Sequence, residues 1–71
     1  MEQQDEARRR IHQLLLSGDN TLKNRDDEGR QDRARARFAE ARRVAEEAGL
    51  TDALVIIDRR LELLGEADGP A

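Results

Sequence analysis

The stretch RARARFAEARRVAEEAG, from Arg33 to Gly49, decides the fold of this chain. Its apolar residues recur at steps of four and three, which is the spacing of one face of an α-helix. These residues are Ala34, Phe38, Ala41, Ala45 and Ala48. Phe38 is the only aromatic residue in the protein, and the rest of the face is alanine. The pattern therefore predicts a helix that lets its neighbours come close.

Two further helices are predicted, one on each side of this stretch. The first runs from about Asp5 to Lys23, and its apolar stripe is formed by Ala7, Ile11, Leu14, Leu15, Gly18 and Leu22. The third runs from Asp52 to Leu64, and its stripe is formed by Ala53, Leu54, Ile57, Leu61 and Leu64. We therefore expect an all-α fold of three antiparallel helices.

The connections between these helices have their own signals. Residues 24–32 contain no apolar side chain and are predicted to form a loop, with Asp26 or Asp27 available to cap the second helix. Gly49 is predicted to end that helix in a left-handed conformation, with Leu50 folding back onto its last turn. The predicted domain covers residues 7–64, between a flexible N-terminus at 1–6 and a disordered tail at 65–71.

Gly18 lies inside the apolar stripe of the first helix. A glycine there costs the helix up to roughly 1 kcal/mol relative to alanine, so it needs a packing reason. We expect close approach of another backbone, in which case Gly18→Ala would be mild or helpful. Residues 17–20 could instead form a turn that ends the helix early, and the sequence leaves both possibilities open.

Composition predicts a marginal core and an uneven charge distribution. The chain has 71 residues, of which 41% are charged, and its net charge is −3. So small a core leaves little surplus over chain entropy, and association with another chain would be a natural remedy. Residues 30–43 sum to +4 and residues 44–71 sum to −5, by counting Arg against Asp and Glu. This split indicates either solvated helix faces or surfaces that complement each other between copies.

The first two predicted helices contain small and large residues at fixed spacing: Leu14-x-x-Ser17-Gly18-x-x-Thr21-Leu22, then Ala34-x-x-x-Phe38-x-x-Ala41. This pattern resembles a tetratricopeptide repeat. The resemblance implies that Gly18 is the small contact residue and that Phe38 plugs the space between helices. It also implies that residues 53–64 form a capping helix or the first helix of an incomplete repeat. The family binds proteins and peptides.

Residues that support catalysis are scarce. The chain has one Ser, one His and no Cys or Tyr, so it offers no nucleophile–base constellation, thiolate metal site or disulfide. His12 lies beside the apolar stripe with no Asp or Ser partner in view. We therefore predict a protein that is not an enzyme and uses no catalytic residue, metal or cofactor. The apolar runs are too short to span a bilayer and the N-terminus lacks the order of a signal peptide, so we also expect a cytoplasmic protein that does not bind membranes.

Four large apolar residues lie off the predicted stripes, and they indicate a binding surface. They are Leu16, Val55, Ile56 and Leu63, and Arg59 and Arg60 lie among them. We expect these six residues to contact a protein partner, with a second copy of the chain as the favoured one and a dimer as the favoured assembly. The alternative is a small regulatory protein that contacts nucleic acid phosphates through Arg30, Arg33 and Arg37. A sequence pI near 5.1 and the lack of aromatic residues free to stack on bases disfavour this alternative.

Overall fold

The three predicted helices are present in the computed structural model of the protein, which describes residues 2–67. Helix α1 spans Glu2–Lys23, α2 spans Arg30–Ala48 and α3 spans Thr51–Ala67. The all-α fold is therefore confirmed. α1 and α2 pack against each other most extensively, α3 packs on α2, and α1 meets α3 only narrowly. The described chain measures 43 × 21 × 12 Å, so the helices form a thin layer with α2 between the other two.

The helix ends differ from the predicted ones at four places. α1 begins at Glu2, three residues before the predicted start. α2 begins at Arg30, which leaves a shorter loop of residues 24–29. α3 begins at Thr51, one residue before the predicted start, and it continues to Ala67 because Gly65 does not take the positive φ that would end the helix. Met1 and residues 68–71, the rest of the predicted flexible ends, lie outside the described residues.

The turn from α2 to α3 has the predicted geometry. Gly49 takes φ 69° and ψ 30°, a left-handed conformation that costs glycine little. Its N–H donates to the carbonyl of Glu46 at 3.2 Å, and the N–H of Leu50 donates to the carbonyl of Ala45 at 2.9 Å. This pair of bonds is the Schellman motif. Leu50 is buried, so the turn also adds to the core.

The start of α2 is held by a carboxylate from the loop. Gly29 occupies the cap position without a side chain of its own, and its N–H donates to Oδ1 of Asp27 at 2.9 Å. The other carboxylate oxygen of Asp27 pairs with Arg33, one turn into the helix. Asp27, one of the two predicted capping residues, therefore acts from two residues ahead of the cap.

The core follows the predicted stripes and centres on Phe38, whose exposed fraction is 1%. The other buried core members are Ile11, Leu14, Ala34, Ala41, Ala45, Leu50, Ala53, Ile57 and Leu64. α1 is continuous through Ser17 and Gly18, so the turn left open by the sequence is absent. A Cβ placed on Gly18 would lie 2.9 Å from both Cδ1 and Cζ of Phe38. The close approach is therefore real, but the neighbour is an aromatic ring instead of a backbone.

Candidate interaction surface

Four large apolar side chains are exposed in the described part of the chain, and they are the four predicted from the sequence. The exposed fractions are 52% for Leu16, 71% for Val55, 51% for Ile56 and 47% for Leu63. Three of these residues belong to α3, and we call Val55, Ile56 and Leu63 the α3 apolar face. Their exposure is confirmed, whereas their role in binding stays a prediction.

Leu16 lies apart from the α3 apolar face. It lines an open cavity of about 580 Å³ between the second half of α1 and the start of α2. Polar residues form the rest of that lining: Gln13, Ser17, Asn20, Thr21, Asn24, Asp27 and Arg33. Leu63 lines a different cavity. Sequence periodicity shows which side chains of one helix do not face the core. It does not show how the exposed faces of two helices lie relative to each other.

α1 and α3 make few direct contacts, and two ion pairs cross the surface between them, which we call the groove. Nη1 of Arg8 lies 2.9 Å from Oδ2 of Asp52. Nη2 of Arg60 lies 3.1 Å from Oδ2 of Asp19, and its Nε lies 3.3 Å from Oδ1 of the same carboxylate. Asp52 and Arg60 are each four residues from Ile56, so all three share one side of α3. Ile56 therefore lies between the two crossings, half-exposed and facing the groove.

The groove ends in a second open cavity of about 320 Å³, which we call the Phe38 cavity. Its apolar lining is Leu22, Phe38, Leu63 and Leu64, and its polar lining is Asp19, Arg30, Gln31 and Arg60. All three helices contribute to it. Sequence periodicity does not reveal this cavity, because its lining residues come from three separate segments.

The two arginines predicted for partner binding already have carboxylate neighbours. Nη1 of Arg59 lies 3.5 Å from Oε2 of Glu62, and both side chains are about two-thirds exposed. Arg60 is held across the groove by Asp19. Both cations therefore bring their own counter-charge to the surface.

The three arginines predicted as phosphate contacts all belong to α2, and two of them have partners within the chain. Arg33 is paired with Asp27, and Nη1 of Arg30 donates to the backbone carbonyl of Arg25 at 3.0 Å. Arg30 and Arg33 also line different cavities. Arg37 is exposed.

Ion pairs also join charged side chains of different helices within the chain. Arg42 on α2 reaches Asp58 on α3 at 2.8 Å, and it reaches Glu46 at 2.5 Å. Hydrogen bonding to Asp58 raises the pKa of Arg42 above its ordinary value. The hydrogen bond from Arg8 lowers the pKa of Asp52. Arg42, from the basic segment 30–43, therefore pairs with two carboxylates of the acidic segment 44–71 within one molecule.

The lowered pKa values of two carboxyl groups predict a loss of stability in acid. Hydrogen bonds from Arg43 lower the pKa of Glu40, as the bond from Arg8 lowers that of Asp52. Because the folded pKa of each lies below the ordinary values of 4.5 and 3.8, their stabilisation is complete above those values. It is lost as pH falls through the folded pKa values. We expect the thermal midpoint to fall between pH 6 and pH 3, and to fall less in Asp52→Asn. An equal fall in that variant would contradict a role for the Arg8 pair.

The described residues show no arrangement suited to metal chemistry. Nowhere in this part of the chain do three His, Asp or Glu side chains converge closely enough to hold a metal ion. His12 is exposed on α1. None of the described helices combines the length and apolarity needed to cross a membrane.

No protein-family model matches the chain, and no curated protein or solved structure matches it either.

Proposed function

We propose that the protein is a non-enzymatic interaction module, an adaptor or scaffold of the cytoplasm, that binds proteins through the α3 apolar face. A second copy of the chain is the partner we favour. One observation carries the proposal: α3 is apolar on two sides. Ile57 and Leu64 are buried in the core, while Ile56 and Leu63 are about half-exposed next to them in sequence.

Energetics favour a partner on this face. Full burial of an aliphatic side chain contributes roughly 1.5–3 kcal/mol, and burial of the exposed half contributes less. In a symmetric dimer each residue is counted twice. The core of this chain contains one large aromatic residue and several alanines, so contributions of this size are large relative to the free energy of unfolding of the monomer.

The resemblance to a tetratricopeptide repeat fits the same proposal. The close contact of Gly18 with Phe38 and the burial of Ala34 and Ala41 support it. We propose that α3 acts as the capping helix of a single repeat. Its outer face then lacks the next helix of a stack and is available to another chain.

Replacing Ile56 and Leu63 together by glutamate tests the proposal. We expect Ile56→Glu/Leu63→Glu to abolish self-association, because four carboxylates would enter the dimer interface. Each chain should stay helical, since both positions are already half-exposed. Light scattering coupled to size-exclusion chromatography measures the mass, and circular dichroism measures the helix content.

A charge-matched control separates the surface effect from the added charge. Ala36 and Ala39 are exposed on α2. Ala36→Glu/Ala39→Glu adds the same two charges, and we expect it to associate like the wild type. Equal masses for the two double variants at every concentration would count against the α3 apolar face.

A further inference from the structure

We infer that a second copy lays its α3 antiparallel in the groove between α1 and α3, and that its Ile56 enters the Phe38 cavity beside Leu63. The inference rests on the proposed function, since it specifies how two copies meet. It assigns an occupant to an open cavity of which half the lining residues are apolar, and which shares Asp19 and Arg60 with the groove.

The register follows from the spacing of the exposed residues. If the two-fold axis passes between Arg59 and Arg60, Ile56 of each copy lies opposite Leu63 of the other. Leu63 forms part of the cavity wall, with Leu22, Phe38 and Leu64 behind it. The symmetry therefore fills two cavities with two isoleucines in one docking event. An apolar side chain seated in a pocket at the centre of an interface is the arrangement typical of binding hot spots.

The area needed for a dimer favours the groove over an edge-to-edge contact of two helices. A helix of 17 residues is about 25 Å long and roughly 10 Å wide, so one face of α3 offers a footprint of roughly 250 Å². Specific interfaces cover about 800 Å² per partner, and weak ones less. A helix lying in the groove touches α1 as well as α3, which roughly doubles the contact. The expected dimer is therefore specific but weak, with dissociation in the micromolar range.

The charges near the two-fold axis permit this pairing. Arg59 would lie opposite Arg60 of the second copy and close to its Arg59, but each Arg59 has Glu62 at 3.5 Å on its own helix. In the antiparallel register, Glu62 of one copy also lies about 3 Å along the axis from Arg59 of the other. The four side chains can then form two pairs across the interface. Arg60 stays neutralised by Asp19 at the side of the groove.

Disulfide cross-linking tests the register, and the chain suits it because it contains no cysteine. In the proposed pairing, Arg59 lies within about 2 Å of its symmetry mate along the axis, whereas Ile56 lies about 10 Å from its own mate. Arg59→Cys should therefore cross-link by itself. Ile56→Cys and Leu63→Cys should cross-link well only when mixed, because a disulfide needs Cα atoms about 4.4–6.8 Å apart. Ala39→Cys, on the outside of α2, is the control and should remain monomeric on reducing-agent-free gels.

The outcomes separate the arrangement from the self-association beneath it. Strong cross-linking of Ile56→Cys alone and of Leu63→Cys alone would indicate parallel helices and overturn the inference, while the dimer itself would stand. No cross-link in any variant, with a dimeric mass under reducing conditions, would overturn it as well. A monomeric mass at every concentration would remove both the inference and the homo-oligomer of the proposed function.

NMR can detect Ile56 of the other copy in the Phe38 cavity, because Phe38 is the only phenyl ring in the protein. We expect isotope-filtered NMR of a mixed sample, one copy labelled and one not, to show contacts from the Phe38 ring to Ile56 methyl groups of the other copy. Ile56→Ala should lose these contacts and dissociate at lower concentration. Correct cross-links without these NMR contacts would leave the helices antiparallel but the cavity unfilled, which contradicts the inference.

Discussion

Phe38→Ala is expected to unfold the protein at room temperature. Phe38 is 1% exposed and is one of the two largest fully buried side chains, with Ile57. Removing a buried phenyl ring costs about 3–5 kcal/mol, because transfer free energy is lost and a cavity remains. Small domains have net stabilities near the low end of about 5–15 kcal/mol. Circular dichroism should show loss of helix, and urea titration should show no cooperative transition or one shifted strongly to lower urea.

Val55→Ala is the matched control for this variant. Val55 is 71% exposed, so truncating it removes few contacts within the monomer. Its urea midpoint at low protein concentration should stay close to that of the wild type. If Phe38→Ala also kept the wild-type midpoint, the ring would not be the centre of the core.

Gly18→Ala is the second large effect, and its expected sign reverses the one drawn from the sequence. In an unobstructed helix this change stabilises by up to roughly 1 kcal/mol. Here the new Cβ would lie 2.9 Å from Cδ1 and Cζ of Phe38, and nearer still to Cε1. The buried ring would have to move, and overpacking of this kind costs about 1–3 kcal/mol. Gly18→Leu should be worse, and thermal melts of both variants measure the difference.

Two controls identify the ring as the cause. Gly65→Ala lies in α3 with nothing within 4 Å of its added Cβ, so it should raise the melting temperature. Phe38→Leu relieves the contact from the other side, so Gly18→Ala should cost less in that background than in the wild type. If Gly18→Ala and Gly65→Ala stabilised the protein equally, the close contact between Gly18 and Phe38 would be contradicted.

The fold could be predicted from the sequence because the local spacing of apolar residues determines it. The alanine face around Phe38 gave α2, and the apolar stripes of the other two helices turned inward as expected. Gly49 and Leu50 formed the expected turn, since a left-handed glycine at a helix end has a local signal. Gly18 was the exception. Its need for space was visible, but whether a backbone or a ring takes that space depends on how α1 and α2 are placed.

Only part of the candidate surface could be predicted from the sequence, for the same reason. Periodicity named Val55, Ile56 and Leu63 as spare, because exposure on one helix follows from spacing along it. It could not join them to a cavity built from three helices, or separate them from Leu16. Nor could it find the pairing of Arg8 with Asp52, which are 44 residues apart in sequence. These relations are set by tertiary packing.

Sedimentation equilibrium of the wild-type protein, from low micromolar to millimolar concentration, measures directly whether two copies associate. We expect an average mass that rises with concentration from one copy, 8.1 kDa, toward two, with dissociation in the micromolar range. The contacts are mainly apolar, so added salt should change this little. A constant mass of one copy up to high micromolar concentration would contradict self-association and leave the α3 apolar face to a different protein.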